Sequence, residues 1–291
     1  MITVSSITSR CSLSACGTCS GGRRFPDSPS PGERVRSTAV TRAGLGLFLL
    51  EAAAGTAFLL LFFPPKTLGK GFFSLHGAIA FTLTVLAALA KPTGLSTGVI
   101  AVSAVLLGAY SLAAHAGRAA AARPLLLAGA LAAAFGASRV ALLAPRAPGS
   151  GWTVASAAVG GLFFGAVLLT MNLGHWYLVS RSLPFQLLAR GATLFAALAA
   201  ARAVLLGTAI AVNPRPEGLE ALLSLDRDAL FFLFRVVWGV LGPLALSYFV
   251  WRTAEMKSNQ AATGLLYVAL VFVLIGELLS SYLTIATGFP A

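Results

Sequence analysis

Residues 44–63 read GLGLFLLEAAAGTAFLLLFF, twenty positions with one ionisable side chain, Glu51. A helix of that length spans about 30 Å, the thickness of a bilayer's hydrocarbon core. No water is available there to satisfy backbone N–H and C=O groups, so the segment must be helical. A charge inside it is costly unless it meets a partner or lines a wet cavity, which makes Glu51 a candidate at once.

Seven further apolar runs follow the same pattern, at about 69–90, 94–115, 124–145, 152–179, 184–212, 229–251 and 260–287. The whole chain is 57% hydrophobic and only 10% charged, with a mean hydropathy of +0.86. A soluble domain carries about 25% charged residues, so too little polar surface exists here to coat a water-soluble globule. The fold class expected is all-α: a polytopic membrane protein with eight transmembrane helices. Residues 1–43 are rich in Ser, Arg, Gly and Pro, lack periodicity and are expected to be a disordered tail. Helices one to four occupy 44–146 and helices five to eight 151–291, with an interfacial segment at 213–228 where Leu219, Leu222 and Leu223 share one face. Gly46-Leu47-Phe48 is echoed by Gly161-Leu162-Phe163, and His76-Gly77-Ala78 by Arg190-Gly191-Ala192. The offsets of 115 and 114 residues point to two four-helix bundles in parallel orientation.

The formal charge of +12 is partly a tail property, with six Arg set against Asp27 and Glu33 in residues 1–43. No basic stripe interleaved with aromatics exists, which excludes nucleic acid as a partner and leaves anionic lipid headgroups. The loops on the side opposite the N-terminus hold Lys66, Lys70, Arg118, Arg123, Arg181, Arg252 and Lys257, against four cations in the other loops. The loops therefore place that side in the cytoplasm, whereas counting the tail reverses the vote. Cys11, Cys16 and Cys19 have the spacing of the first three ligands of an iron–sulfur loop, but no fourth Cys exists and no metal site is expected. There is no HExxH, GxSxG, P-loop or paired aspartate motif, so no catalytic residue is assigned.

Placed by depth, the intramembrane polar residues form two layers. Glu51, Arg139, Arg202, Arg235 and Glu277 lie in the half of the membrane nearer the N-terminal side, as an ion-pair lock or proton path. In the other half, His76, Asn172, His175, Trp176 and Arg190 form a set able to hydrogen-bond and flank a planar carbonyl compound. Asn172 and His175 are one turn apart on one face. Arg235, Trp238 and Gly242 are expected on one inward face of the seventh span, with a kink at Gly242-Pro243. Haem b is the competing cofactor, held by His76 and His175 with Gly77 and Gly174 beside them and His115 as a third candidate.

Eight helices in two halves, polar layers near both faces and no catalytic motif make the chain resemble the polysulfide-reductase-type (NrfD-like) membrane anchor subunits. The resemblance is architectural and carries no residue-level motif. It implies a subunit without its own redox centre that binds a quinone and docks other protein subunits of a respiratory complex, in the bacterial cytoplasmic (inner) membrane. The alternatives from other classes are a secondary transporter for a small anion, with the Arg/Glu cluster as its site, and a non-catalytic assembly subunit.

Overall fold

The structure, a computed structural model, describes residues 31–92, 97–142, 150–179, 183–184, 186–212 and 227–289. Its elements are α1 (Pro31–Leu60), α2 (Pro65–Ala90), α3 (Thr97–His115), α4 (Ala119–Leu142), α5 (Ser150–Val179), α6 (Gln186–Val212), α7 (Arg227–Val236), a π-helical turn (Val237–Leu241), α8 (Gly242–Glu255) and α9 (Asn259–Thr287). With α7, the π turn and α8 forming one continuous span, eight helices among the described residues are long and apolar enough to cross a membrane. The protein is an all-α, multi-pass membrane protein.

Boundaries differ from the sequence expectation in two places. Helix α1 begins at Pro31, so residues 31–43 are helical rather than part of a tail. Helix α4 begins at Ala119 and carries Pro124 inside it rather than at its start. One lost hydrogen bond near a helix start is outweighed by the need to keep the remaining backbone groups paired in hydrocarbon. Residues 1–30, with the three cysteines, and 213–226 of the expected interfacial segment lie outside the described residues.

The helices form two four-membered rings. Helices α1 and α3 each pack against both α2 and α4; in the second ring α5 and α8 each pack against both α6 and α9. The rings meet mainly along α1 and α5, the two most enclosed helices of the protein. The arrangement of helices repeats, and the environments of the echoed residues do so in part. Gly46 and Gly161, Phe48 and Phe163, and Gly77 and Gly191 are buried alike, whereas His76 is buried while Arg190 is exposed.

Small residues set the distance between α1 and α5. A Cβ on Gly55 would collide with the Gly161 carbonyl, one on Gly161 with the Glu51 carbonyl, and one on Gly165 with the Gly55 backbone. Lipid tails are as apolar as side chains, so burial drives helix association weakly in a membrane; close backbone contact and dispersion do more. Gly161→Leu forces backbone apart at a seam where nothing flexible can yield. It should lower stability by at least about 1–3 kcal/mol. Gly264→Ala, whose new Cβ meets nothing within 4 Å, should leave it unchanged. Thermal unfolding of both variants in detergent checks the contrast.

Candidate functional site: a buried charge cluster beside a lipid-facing groove

Arg202 of α6, Arg235 of α7 and Glu277 of α9 converge between the helices of the second ring, at 2%, 0% and 1% side-chain exposure. Arg202 grips Glu277 with both arms of its fork, Nε donating to Oε1 at 3.1 Å and Nη2 to Oε2 at 2.9 Å. Its remaining N–H groups go to Ser156 Oγ at 2.6 Å, the Ser156 carbonyl at 3.2 Å and Ser280 Oγ at 2.7 Å. All five donors of the guanidinium are thereby engaged, which is what a buried arginine requires.

Arg235 reaches the same carboxylate from the opposite side, with Nη2 3.0 Å from Glu277 Oε1. Arg235 Nε has no hydrogen-bond partner among the described residues, so Arg235 holds the carboxylate by this one arm rather than by the two-armed grip of Arg202. Nη1 donates to the Gly239 carbonyl at 3.1 Å. The sequence explains why that carbonyl is free. Four residues on stands Pro243, which has no N–H to return, and the π turn spans the gap with Gly242 N–H bonded to the Val237 carbonyl.

Glycines make the room. A Cβ on Gly160 would lie 2.5 Å from Glu277 Oε2, and one on Gly239 2.7 Å from Arg235 Nη1. The adjacent pair in α5 thus divides its work, Gly161 facing α1 and Gly160 facing the carboxylate. Trp238, expected on the inward face with Arg235, points outward at 43% exposure and packs edge-on against Phe272 at 4.8 Å. The wider π turn breaks the 3.6-residue register between them.

Glu51 lies beside this cluster without joining it; no salt bridge to it forms among the described residues. It sits fourteen residues into the 37–60 span, roughly 21 Å along the axis, deeper than a span starting at residue 44 implies. It lines two spaces. One is a cavity of about 10 Å³, bordered by Arg202, Thr153, Ser156, Ser281 and Thr284. That is about the smallest volume able to hold a water, and Thr153 Oγ1, without a partner among the described residues, suits one. The other is an alanine-rich groove of about 250 Å³ between α1, α4 and α5, bordered by Gly55, Phe58, Ala134, Ala137 and Leu162.

Two arginines and one glutamate leave the cluster at +1, and an ionised Glu51 brings it to zero. Arg139, expected in the same layer, faces outward from α4 and takes no part. The sequence-based placement did not single out the hydroxyls Thr153, Ser156, Ser280, Ser281 and Thr284. Their signal was present: with Glu277, the three in α9 recur at i+3, i+4 and i+7, one helical face.

The second layer does not assemble as expected. His76 is fully buried, its Nδ1–H donating to the Phe72 carbonyl at 2.7 Å and its Nε2 accepting from Asn172 Nδ2 at 3.0 Å. Both ring nitrogens are engaged, so the bis-histidine haem ligation would require breaking this pair. His175 is exposed on the outer face of α5 and Arg190 on that of α6, so neither meets His76. Trp176 is half-buried, edge-on to Phe72 at 5.9 Å, as a packing residue. Exposed His115 lies at the end of α3. Tyr177 donates to the Pro184 carbonyl and accepts from Leu188 N–H at 3.3 Å, tying the α5–α6 connection.

No protein-family model, curated protein or solved structure matches this chain.

Glu277→Gln removes the counter-charge of two buried guanidinium groups and should destabilise the protein by about 3–5 kcal/mol. Arg202→Lys should recover little of the wild-type stability, because an ammonium cannot grip two carboxylate oxygens and two serines together. Arg139→Gln should stay within about 0.5 kcal/mol of wild type. Unfolding of the three purified variants side by side provides the check.

Proposed function

We propose that this protein is an integral membrane subunit of an electron-transfer assembly that binds a quinone-class carrier in the groove between α1, α4 and α5. Glu51 exchanges protons with it. The observation that carries this reading is the double exposure of Glu51, to the lipid-facing groove on one side and to the charged, hydroxyl-lined cavity on the other. A quinone is a hydrophobic ring with carbonyl oxygens that need a hydrogen-bond donor, and its reduction to a quinol takes up two protons with two electrons. A groove of about 250 Å³ suits a substituted ring whose tail remains in lipid.

In this scheme the protonated Glu51 carboxyl donates a hydrogen bond to a carbonyl oxygen at the floor of the groove. On two-electron reduction its proton passes to that oxygen, and a second proton, passed on once Glu51 has been reprotonated, completes the quinol. The carboxylate left behind is held by the positive field of Arg202 and Arg235, whose charge Glu277 only half offsets. Thr153, three residues into α5, and Thr284, three before the end of α9, extend the hydroxyl path towards the N-terminal side, from which a new proton arrives. Electrons come from a redox partner docked at a membrane face. The architectural resemblance to quinol-handling anchors of the bacterial cytoplasmic membrane supports the same class. The proposed site differs from His76, Asn172, His175 and Arg190, because His76 and Asn172 satisfy each other and His175 and Arg190 face away from them.

The anion-transporter alternative has less to stand on: the arginine layer encloses room for one water, so an anion there would have to displace Glu277.

Titration of the purified protein with a short-tailed quinone, followed by tryptophan fluorescence, tests the reading. Ala134→Phe fills the groove and should weaken binding at least about tenfold, whereas Glu51→Gln should bind within a few-fold of wild type but lose quinone-dependent proton uptake. Unaltered binding in Ala134→Phe would exclude this groove. The absence of saturable binding in the wild type would leave a packing role for the cluster.

A further inference from the structure

A cavity of about 580 Å³ lies at the opposite membrane face from the N-terminus, where α1 ends, α2 begins and the α3–α4 turn folds over them. Its walls are apolar, from Leu60, Phe63, Phe73 and Leu126, while its rim carries Lys66, Lys70 and Arg123. All three cations are exposed, none forms a salt bridge among the described residues, and no acidic side chain lines the cavity. The lack of counter-charge runs deeper than the rim: residues 52–216 contain no Asp or Glu at all.

Two glycines build the rim. Gly69 breaks α2 with a φ of 74°, a left-handed value costly for other residues, and so separates the Lys66 turn from the body of the helix. A Cβ there would meet open space, because the residue borders the cavity. Gly117, with a φ of 73°, turns the chain between α3 and α4, and a Cβ on it would stand 2.9 Å from Lys70 Nζ. The lysine is seated against the turn that delivers Arg123.

We propose that this cavity is a binding site for an anionic phospholipid, its phosphate held by Lys66, Lys70 and Arg123 and the upper part of an acyl chain lying along the apolar wall. Charge complementarity favours this occupant over a neutral carbonyl carrier, which would leave three cations unanswered. The apolar walls favour a lipid over free phosphate, which would leave them wet. The volume lies within the range of ligand-sized cavities. The site is separate from the Glu51 groove, with which it shares no lining residue.

Full-length protein, stripped of lipid in detergent, is titrated with phosphatidylglycerol, with phosphatidylcholine and with inorganic phosphate. Native mass spectrometry counts bound lipid and a thermal shift reads the affinity. Phosphatidylglycerol should bind saturably at one site, and the triple variant Lys66→Gln, Lys70→Gln, Arg123→Gln should weaken it roughly a hundredfold, at about 1 kcal/mol per cation. Ala120→Trp, which narrows the cavity and keeps the charges, should weaken it as well. Equal affinity for phosphatidylcholine, undiminished binding in the triple variant, or inorganic phosphate displacing the lipid at equal concentration would each overturn the assignment. Glu51→Gln should bind the lipid normally, so failure of this proposal and failure of the quinone reading are distinguishable.

Discussion

A carboxylate with 1% of its side chain exposed cannot exist in a low-dielectric interior without cations at contact distance, and Glu277 has two. Much of the second ring is arranged around that requirement. It draws α6, α7 and α9 to one depth through Arg202, Arg235 and Glu277, and it draws α5 in through Ser156, which takes two donors of Arg202. The missing N–H of Pro243 gives Arg235 a carbonyl to bond, and Gly160, Gly239 and Gly276 leave space for the charged groups. Removing Glu277 would leave two guanidinium groups buried without compensation, a far larger cost than any single apolar contact in the bundle.

The two rings meet across a different kind of interaction. Gly55, Gly161 and Gly165 let α1 and α5 approach backbone to backbone, and the Glu51 carbonyl itself sits against Gly161. Glu51 is therefore fixed at the seam between the rings: near the arginines, outside salt-bridge distance of them, and open to a groove that faces lipid. A carboxyl tied into a salt bridge would be a lock. One held beside cations yet reachable from the bilayer is placed to take and give a proton, and the proposed function grows from that difference.

Most of the fold was legible from composition and run length, because a bilayer leaves the backbone few choices. The charged layer was legible too: Glu51, Arg202, Arg235 and Glu277 do share one depth and one region. Arg139 instead lies in the last turn of α4, on an exposed face. Counting residues from a helix end gives height only as well as that end is placed, as Glu51 shows, and gives no rotation at all; α4 turns the Arg139 guanidinium outward. His175 fails for a related reason. It lies one turn from Asn172, yet Asn172 is turned towards α2 by its hydrogen bond to His76, while three residues further round the helix the surface is already exposed.

The sequence alone determined that this chain is helical, that it crosses a membrane eight times, and that its few buried charges must meet one another. These follow from the cost of unpaired backbone groups and unpaired ions in hydrocarbon, which is indifferent to which helix neighbours which. The tertiary structure decided which charges pair, which is left over, and where space remains: Glu277 taken by two arginines, Glu51 set beside a groove, His76 closed off by Asn172, and a cation-rimmed cavity under the α3–α4 turn. Those outcomes depend on helix rotation and on the backbone separations that individual glycines permit, and both are fixed only when the rings pack.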